Sequence, residues 1–321
     1  MSTSSWRRAL AAAILSVGSA CAYADKPDCG NTDLPRLSFV QFTSPNIATS
    51  PPSLLTIKGK LSLPQQRDHH LGCTAVNGRK LPAVVILHGS SGVDSRGDFY
   101  EAALNAAGIA TLQIDMWEAR GVGGAVGRPS APILTLPDAY SALAFLAARP
   151  EIDAARIGVL GFSWGGVNSL TAAERLYTGL FGGGRQFKAH AAHYPVCYAA
   201  NAVIPGLPPP AQLGTQFINL TGAPVLVQVG SLDGYDNGAA RCRALAQAVN
   251  PSNAHAVEVV EVPGAQHAFD RLMVPIVVSD PFGNEGSYFA TGIVPKVTLA
   301  PDVAQAYAAR ERVARFFRDT L

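Results

Sequence analysis

Ser163 stands between two glycines in the stretch Gly161-Phe162-Ser163-Trp164-Gly165. A serine hydroxyl is a weak nucleophile near neutral pH, and becomes useful only when an imidazole takes its proton and an acid orients that imidazole. The G-x-S-x-G spacing suits such a serine, because a strand-to-helix turn this tight leaves no room for flanking side chains. Taken alone the pattern is weak: in a chain with 31 glycines it also reads as a crowded Gly-Ser loop. What gives it weight lies downstream, where an acid and a histidine follow in the order expected for this kind of elbow.

The histidine is His267, in "VEVPGAQHAFD", directly after the strand-like run "AVEVVEV". The other histidines compete less well. His69 and His70 lie in a polar stretch before the first parallel strand, His88 precedes the serine, His190 and His193 sit inside a strand pattern, and His255 comes before its strand, at the opposite edge. For the acid, "VLVQVGSLDGYDN" offers Asp233 and Asp236. Asp233 is favoured because it comes first after the strand. Either could instead cap or shape a turn in this Gly- and Asn-rich segment. Asp115 also ends a strand but precedes the serine. Acyl transfer further needs backbone N–H groups aimed at the developing oxyanion. Trp164 supplies one by position, and "LHGSSG" (87–92) supplies another, with Ser90 as the expected donor.

These residues need a scaffold that brings strand ends together. From about residue 80 the chain alternates apolar runs with helical periods, the pattern of βαβ units and a mostly parallel sheet. Strands are expected at 83–89, 109–116, 156–163, 190–196, 223–230 and 256–262. Helices are expected at 99–108, 137–150, 164–177, 238–249 and 301–321. The last should bury Val303, Ala306, Ala309, Val313, Phe316 and Phe317. "RLSFVQFTS" and "SLLTIKGKLSLP" read as two antiparallel leading strands at the sheet edge. Three stretches break the alternation, 121–137, 204–216 and 270–300, and are candidates for the walls of a cleft.

The first 24 residues carry Arg7 and Arg8, an apolar segment to about Ala20 and an Ala22-Tyr23-Ala24 site, the three regions of a cleavable secretory signal. A membrane helix would need a longer apolar run. The expected mature chain, 25–321, is then a single domain with 23 charges of each sign. That balance gives no basis for binding nucleic acid or an anionic membrane, and places the protein in the periplasm or outside the cell. Four cysteines remain, Cys29, Cys73, Cys197 and Cys242; an even number in an exported chain suits two disulfides, with Cys29–Cys73 and Cys197–Cys242 preferred. No C-x-x-C spacing suggests zinc, and the chemistry calls for no metal or organic cofactor.

The combination "LHGSSG", "RIGVLGFSWGG", "HYPVC", "GAPVLVQVGSLDGYD" and "VPGAQHAFD" resembles the dienelactone hydrolase family of α/β-hydrolases, over most of residues 80–320. Two positions depart from the namesake enzymes. They use a cysteine nucleophile where this chain has Ser163, and a glutamate where it has Gly89. The resemblance is therefore closer to exported, serine-bearing members. It implies an α/β-hydrolase fold and a serine hydrolase acting on carboxylic esters, small or polymeric, with a Ser163–Asp233–His267 triad and Ser90 and Trp164 at the oxyanion. A peptidase of the prolyl-oligopeptidase type and a non-catalytic binding protein on the same scaffold are the alternatives; the first usually carries a large extra domain.

Overall fold

The computed structural model describes residues 34–64, 67–68, 74–75, 80–200 and 217–321. The signal-like segment, Cys29, Cys73 and the 204–216 stretch lie outside the described residues. Eight strands form one sheet: β1 (Arg36–Asn46), β2 (Ser53–Leu63), β3 (Leu81–Leu87), β4 (Ala110–Asp115), β5 (Ile152–Phe162), β6 (His190–His193), β7 (Val225–Gly230) and β8 (Val257–Val262). Their order is β1-β2-β4-β3-β5-β6-β7-β8. β1 and β2 pair antiparallel at one edge, as expected, and β2 pairs antiparallel with β4; from β4 to β8 every pairing is parallel.

β3 explains why the centre reads as an unbroken apolar run rather than an alternation. Ala83, Val85 and Leu87 face one side and Val84 and Ile86 the other, and all five are buried, because helices cover both faces. Helices α1 (Ser95–Ala106) and α6 (Val303–Thr320) pack on one face through Tyr100, Leu104, Ala309, Val313 and Phe317. Helices α2 (Leu136–Ala147), α3 (Trp164–Thr171) and α5 (Ala240–Val249) pack on the other.

Four sequence expectations need correction. Val303 is 61 % exposed: it is the first residue after the Asp302 cap, and the buried stripe runs through Ala306, Ala309, Val313 and Phe317, with Phe316 only partly covered. The expected helix 164–177 is broken into α3 and α4 (Arg175–Phe181). The break occurs because Glu174 is extended and pairs with Leu220, while its carboxylate accepts the N–H groups of Ile218 and Asn219. The strand expected to reach 196 stops at His193, since Tyr194 and Val196 both adopt positive φ. The 270–300 excursion, read as irregular, contains a hairpin of β9 (Ile276–Ser279) and β10 (Lys296–Leu299).

The two strand-pattern histidines, His190 and His193, are fully buried core residues. His190 Nδ1 lies 2.9 Å from the Ser169 carbonyl oxygen, and burial lowers its pKa to about 4. His88, just after β3, is likewise pushed down to about 4 by burial. Each group stays neutral in the fold, yet would take up a proton near pH 6.5 once unfolded. Their folded pKa values are depressed, so this part of the stability is complete above pH 6.5 and is lost as pH falls toward 4. Denaturant titrations at pH 7 and pH 5 should therefore show a smaller loss on acidification in His190→Leu than in wild type. An equal loss in both would rule out His190 as a contributor.

Candidate active site

Four loops meet at the carboxyl edge of the parallel strands, where sites on open α/β sheets gather. They follow β3 (88–92), β5 (163), β7 (231–238) and β8 (263–268). Ser163 closes β5 with its N–H bonded to the His193 carbonyl, then turns the chain into α3 with φ 51° and ψ −108°. That strained backbone is what the neighbouring glycines permit. A Cβ on Gly161 would sit 1.9 Å from the Gly165 carbonyl oxygen, and one on Gly165 would sit 2.4 Å from that of Leu87.

The serine projects toward the histidine. Ser163 Oγ is 2.9 Å from His267 Nε2, and His267 Nδ1 is 2.8 Å from Asp233 Oδ2. Nδ1 therefore donates to the carboxylate, leaving Nε2 to accept from the hydroxyl. Asp233 is itself held, its Oδ1 accepting the Tyr235 N–H at 2.9 Å. The His267 ring lies between those of Tyr194 and Tyr235, at 4.7 and 4.2 Å. All three residues expected from the sequence are thus brought together. Asp236 points elsewhere: it is buried and accepts the N–H groups of Cys197 and Tyr198 at 2.7 and 2.8 Å. Burial, then the nearby Asp233 charge, raises its pKa to about 7.

Around Ser90 the chain makes a tight turn closed by Gly92 N–H to the Gly89 carbonyl, which leaves the Ser90 N–H outside the turn's own bond. Trp164 is the first residue of α3, and its N–H has no acceptor within that helix. His88 acts here in a way its sequence position did not reveal. Its Nδ1 donates to the Gly89 carbonyl at 2.7 Å and its Nε2 accepts the Met116 N–H at 2.9 Å, tying the turn to the end of β4. Trp117 Nε1 donates to the Ser90 carbonyl at 3.0 Å. Gly89 abuts the same framework, since a Cβ there would meet Arg96 Nη2 at 3.0 Å and the Phe162 carbonyl oxygen at 3.3 Å. A larger side chain at this position would have to displace Arg96, which is buried and bonded to Asp94 and the Tyr194 hydroxyl.

Two of the irregular stretches do wall the cleft, and they contribute residues that strand patterns could not flag. Arg128 comes from the first and Asp280 and Phe282 from the third. Arg128 donates to Ser90 Oγ and to both Asp280 oxygens, each at 2.9 Å. Cys197 and Cys242 form a disulfide, as preferred from the sequence, anchoring the turn that carries Ala199 to α5. With Asp236 these cysteines have the spacing of a metal cluster, but disulfide sulfurs are not thiolates, so among the described residues that cluster is not suited to an ion. No described helix is long and apolar enough to cross a membrane.

The strand order, the elbow at the end of β5 and the residues gathered at the sheet edge define an α/β-hydrolase. The chain belongs to the dienelactone hydrolase family, whose model matches residues 71–280. No curated protein matches it. Solved structures share its fold at low identity. A candidate dienelactone hydrolase from Klebsiella pneumoniae is 17 % identical with a TM-score of 0.56, over 88 % of this chain and 98 % of that one. A dienelactone hydrolase-like promiscuous phosphotriesterase from metagenomic libraries gives 17 % and 0.54, over 88 % and 98 %. An esterase from Pyrobaculum calidifontis gives 17 % and 0.53, over 88 % and 85 %.

Proposed function

We propose that this protein is an exported serine hydrolase that cleaves carboxylic esters through an acyl-enzyme. The observation that carries the reading is the unbroken hydrogen-bond series from Ser163 Oγ through the His267 ring to Asp233. Ser163 Oγ attacks the acyl carbon as His267 Nε2 takes its proton, while Asp233 orients the ring and stabilises the imidazolium. The N–H groups of Ser90 and Trp164 receive the charge that develops on the carbonyl oxygen. His267 then returns the proton to the departing alcohol oxygen. A water enters, loses a proton to the same nitrogen, attacks the acyl carbon and releases the acid, restoring the Ser163 hydroxyl.

A serine in place of the namesake cysteine fits this route. A hydroxyl depends on the base for activation, whereas a thiol can ionise under a neighbouring charge. Export is supported by the Cys197–Cys242 disulfide, a bond that reducing compartments disfavour. The test is a panel of one simple ester, one lactone and the matching amide, together with labelling by a fluorophosphonate. Ester turnover well above amide turnover, with covalent labelling, is expected. Faster amide cleavage would favour a peptidase, and absence of labelling and turnover would favour a binding protein.

A further inference from the structure

The space around Ser163 is not one cavity but two, of about 490 and 480 Å³ counting their mouths. Both are lined by Ser90, Arg128, Ser163, Tyr235 and Asp280. Four of them, Ser90, Arg128, Tyr235 and Asp280, form a hydrogen-bonded partition. Arg128 reaches from Ser90 Oγ to Asp280, and the Tyr235 hydroxyl donates to Asp280 at 3.0 Å. The Arg128 guanidinium also lies 5.5 Å from the centroid of the Trp164 ring and 5.5 Å from that of the Phe282 ring. Its side chain is only 13 % exposed and that of Asp280 8 %. A bidentate ion pair so enclosed is a rigid divider rather than a wandering surface contact.

The two chambers differ in what they offer. The first is walled by Trp164, Val167, Val196, Ala199 and Phe282, and His267 does not line it. The second contains His267 with Ser91, Ser279 and Arg271. We propose that the His267 chamber holds the alcohol half of the ester, that the apolar chamber holds the acyl half, and that Arg128, pinned by Asp280, limits how long that acyl half can be. This rests on the reading of Ser163 as nucleophile and His267 as its base. The reason is chemical: the imidazolium must hand its proton to the leaving oxygen, so the alcohol has to lie on the side from which His267 is reached. The acyl group is then directed to the other side, where every wall except the partition is an apolar side chain or buried backbone. Arg128 is a specificity-determining residue in this scheme, not one that transfers a proton or electrons.

The experiment varies the acyl chain of 4-nitrophenyl esters from acetate to decanoate and compares kcat/KM in wild type, Arg128→Ala and Asp280→Asn. In wild type the rate should fall as the chain lengthens. In Arg128→Ala the chambers merge, and the decanoate-to-acetate ratio should rise by about tenfold or more, the scale on which a few methylenes are discriminated. Asp280→Asn keeps the shape but releases the guanidinium, and should move the ratio the same way; it carries the test if Arg128→Ala does not fold. Ratios equal to wild type in the folded variants overturn the partition. Ala199→Leu fills the apolar chamber and should lower the butanoate-to-acetate ratio while leaving the hexyl-to-ethyl acetate ratio unchanged; the reverse result overturns the chamber assignment. Wild-type turnover that survives Ser163→Ala, or no turnover at all, overturns the underlying mechanism and the partition with it. Turnover that requires Ser163 but shows unchanged ratios overturns the partition alone.

Discussion

Ser163→Ala should lower kcat on a simple chromogenic ester by about 10⁴- to 10⁶-fold, the range seen when the nucleophile of a coupled triad is removed. The loss is that large because the acyl-enzyme route starts at Ser163 Oγ, the atom to which His267 and Asp233 are bonded in series. What remains would come from substrate binding and the oxyanion donors, neither of which needs Oγ. The change should leave the fold intact. The elbow's strain lies in the backbone at φ 51° and in the glycine contacts, and alanine keeps the same Cβ. A melting curve that overlays the wild type, beside a rate at background, is the expected pair of results. A rate within tenfold of wild type in a clean preparation would exclude Ser163 as the nucleophile.

Asp233→Asn should be nearly as damaging, with kcat falling by about 10⁴-fold. An amide at this position can present a donor to His267 Nδ1, which then favours the tautomer with the proton on Nε2, the nitrogen that must accept from Ser163. Asp236→Asn provides the contrast. Asp236 touches none of the three residues in the series; it accepts two backbone N–H groups, and one amide oxygen cannot replace two carboxylate oxygens. The expected cost is about 1–3 kcal/mol of stability from a buried donor left without a partner, with turnover far less affected than in Asp233→Asn. Denaturant melts and steady-state kinetics on both variants decide the matter. If Asp236→Asn shows the larger loss of kcat, the acid has been misassigned.

That contrast bears on how much the chain discloses in one dimension. Asp233 and Asp236 lie three residues apart in a turn rich in glycine and asparagine, and either type could cap, turn or orient. Only position after the strand favours Asp233, and the structure agrees because β7 ends at Gly230, where a Cβ would collide with the Ala265 carbonyl at 2.2 Å. The β7 and β8 loops are thereby in close contact, and Asp233 is the acid within reach of His267. His88 illustrates the converse. It precedes the serine and is not the base, and the structure bonds it to Gly89 and Met116 instead, but its part in bracing the Ser90 turn depends on partners that no local pattern signals.

The residue order alone determined the α/β alternation, the edge hairpin, the elbow and the serine, acid, histidine sequence at strand ends. These are properties of periodicity and of short motifs, set by which side chains can be buried on a strand or helix and which backbone angles a glycine allows. The tertiary structure decided what depends on loops meeting in space. Arg128 and Asp280 are 152 residues apart, each in a stretch with no regular pattern, yet together they divide the cleft beside Ser163. The helix break at Glu174 depends in the same way on pairing with Leu220, and the exposure of Val303 on where the Asp302 cap sets the phase of α6. Local sequence encodes the supports of the site; the shape of the space they enclose follows from long-range packing.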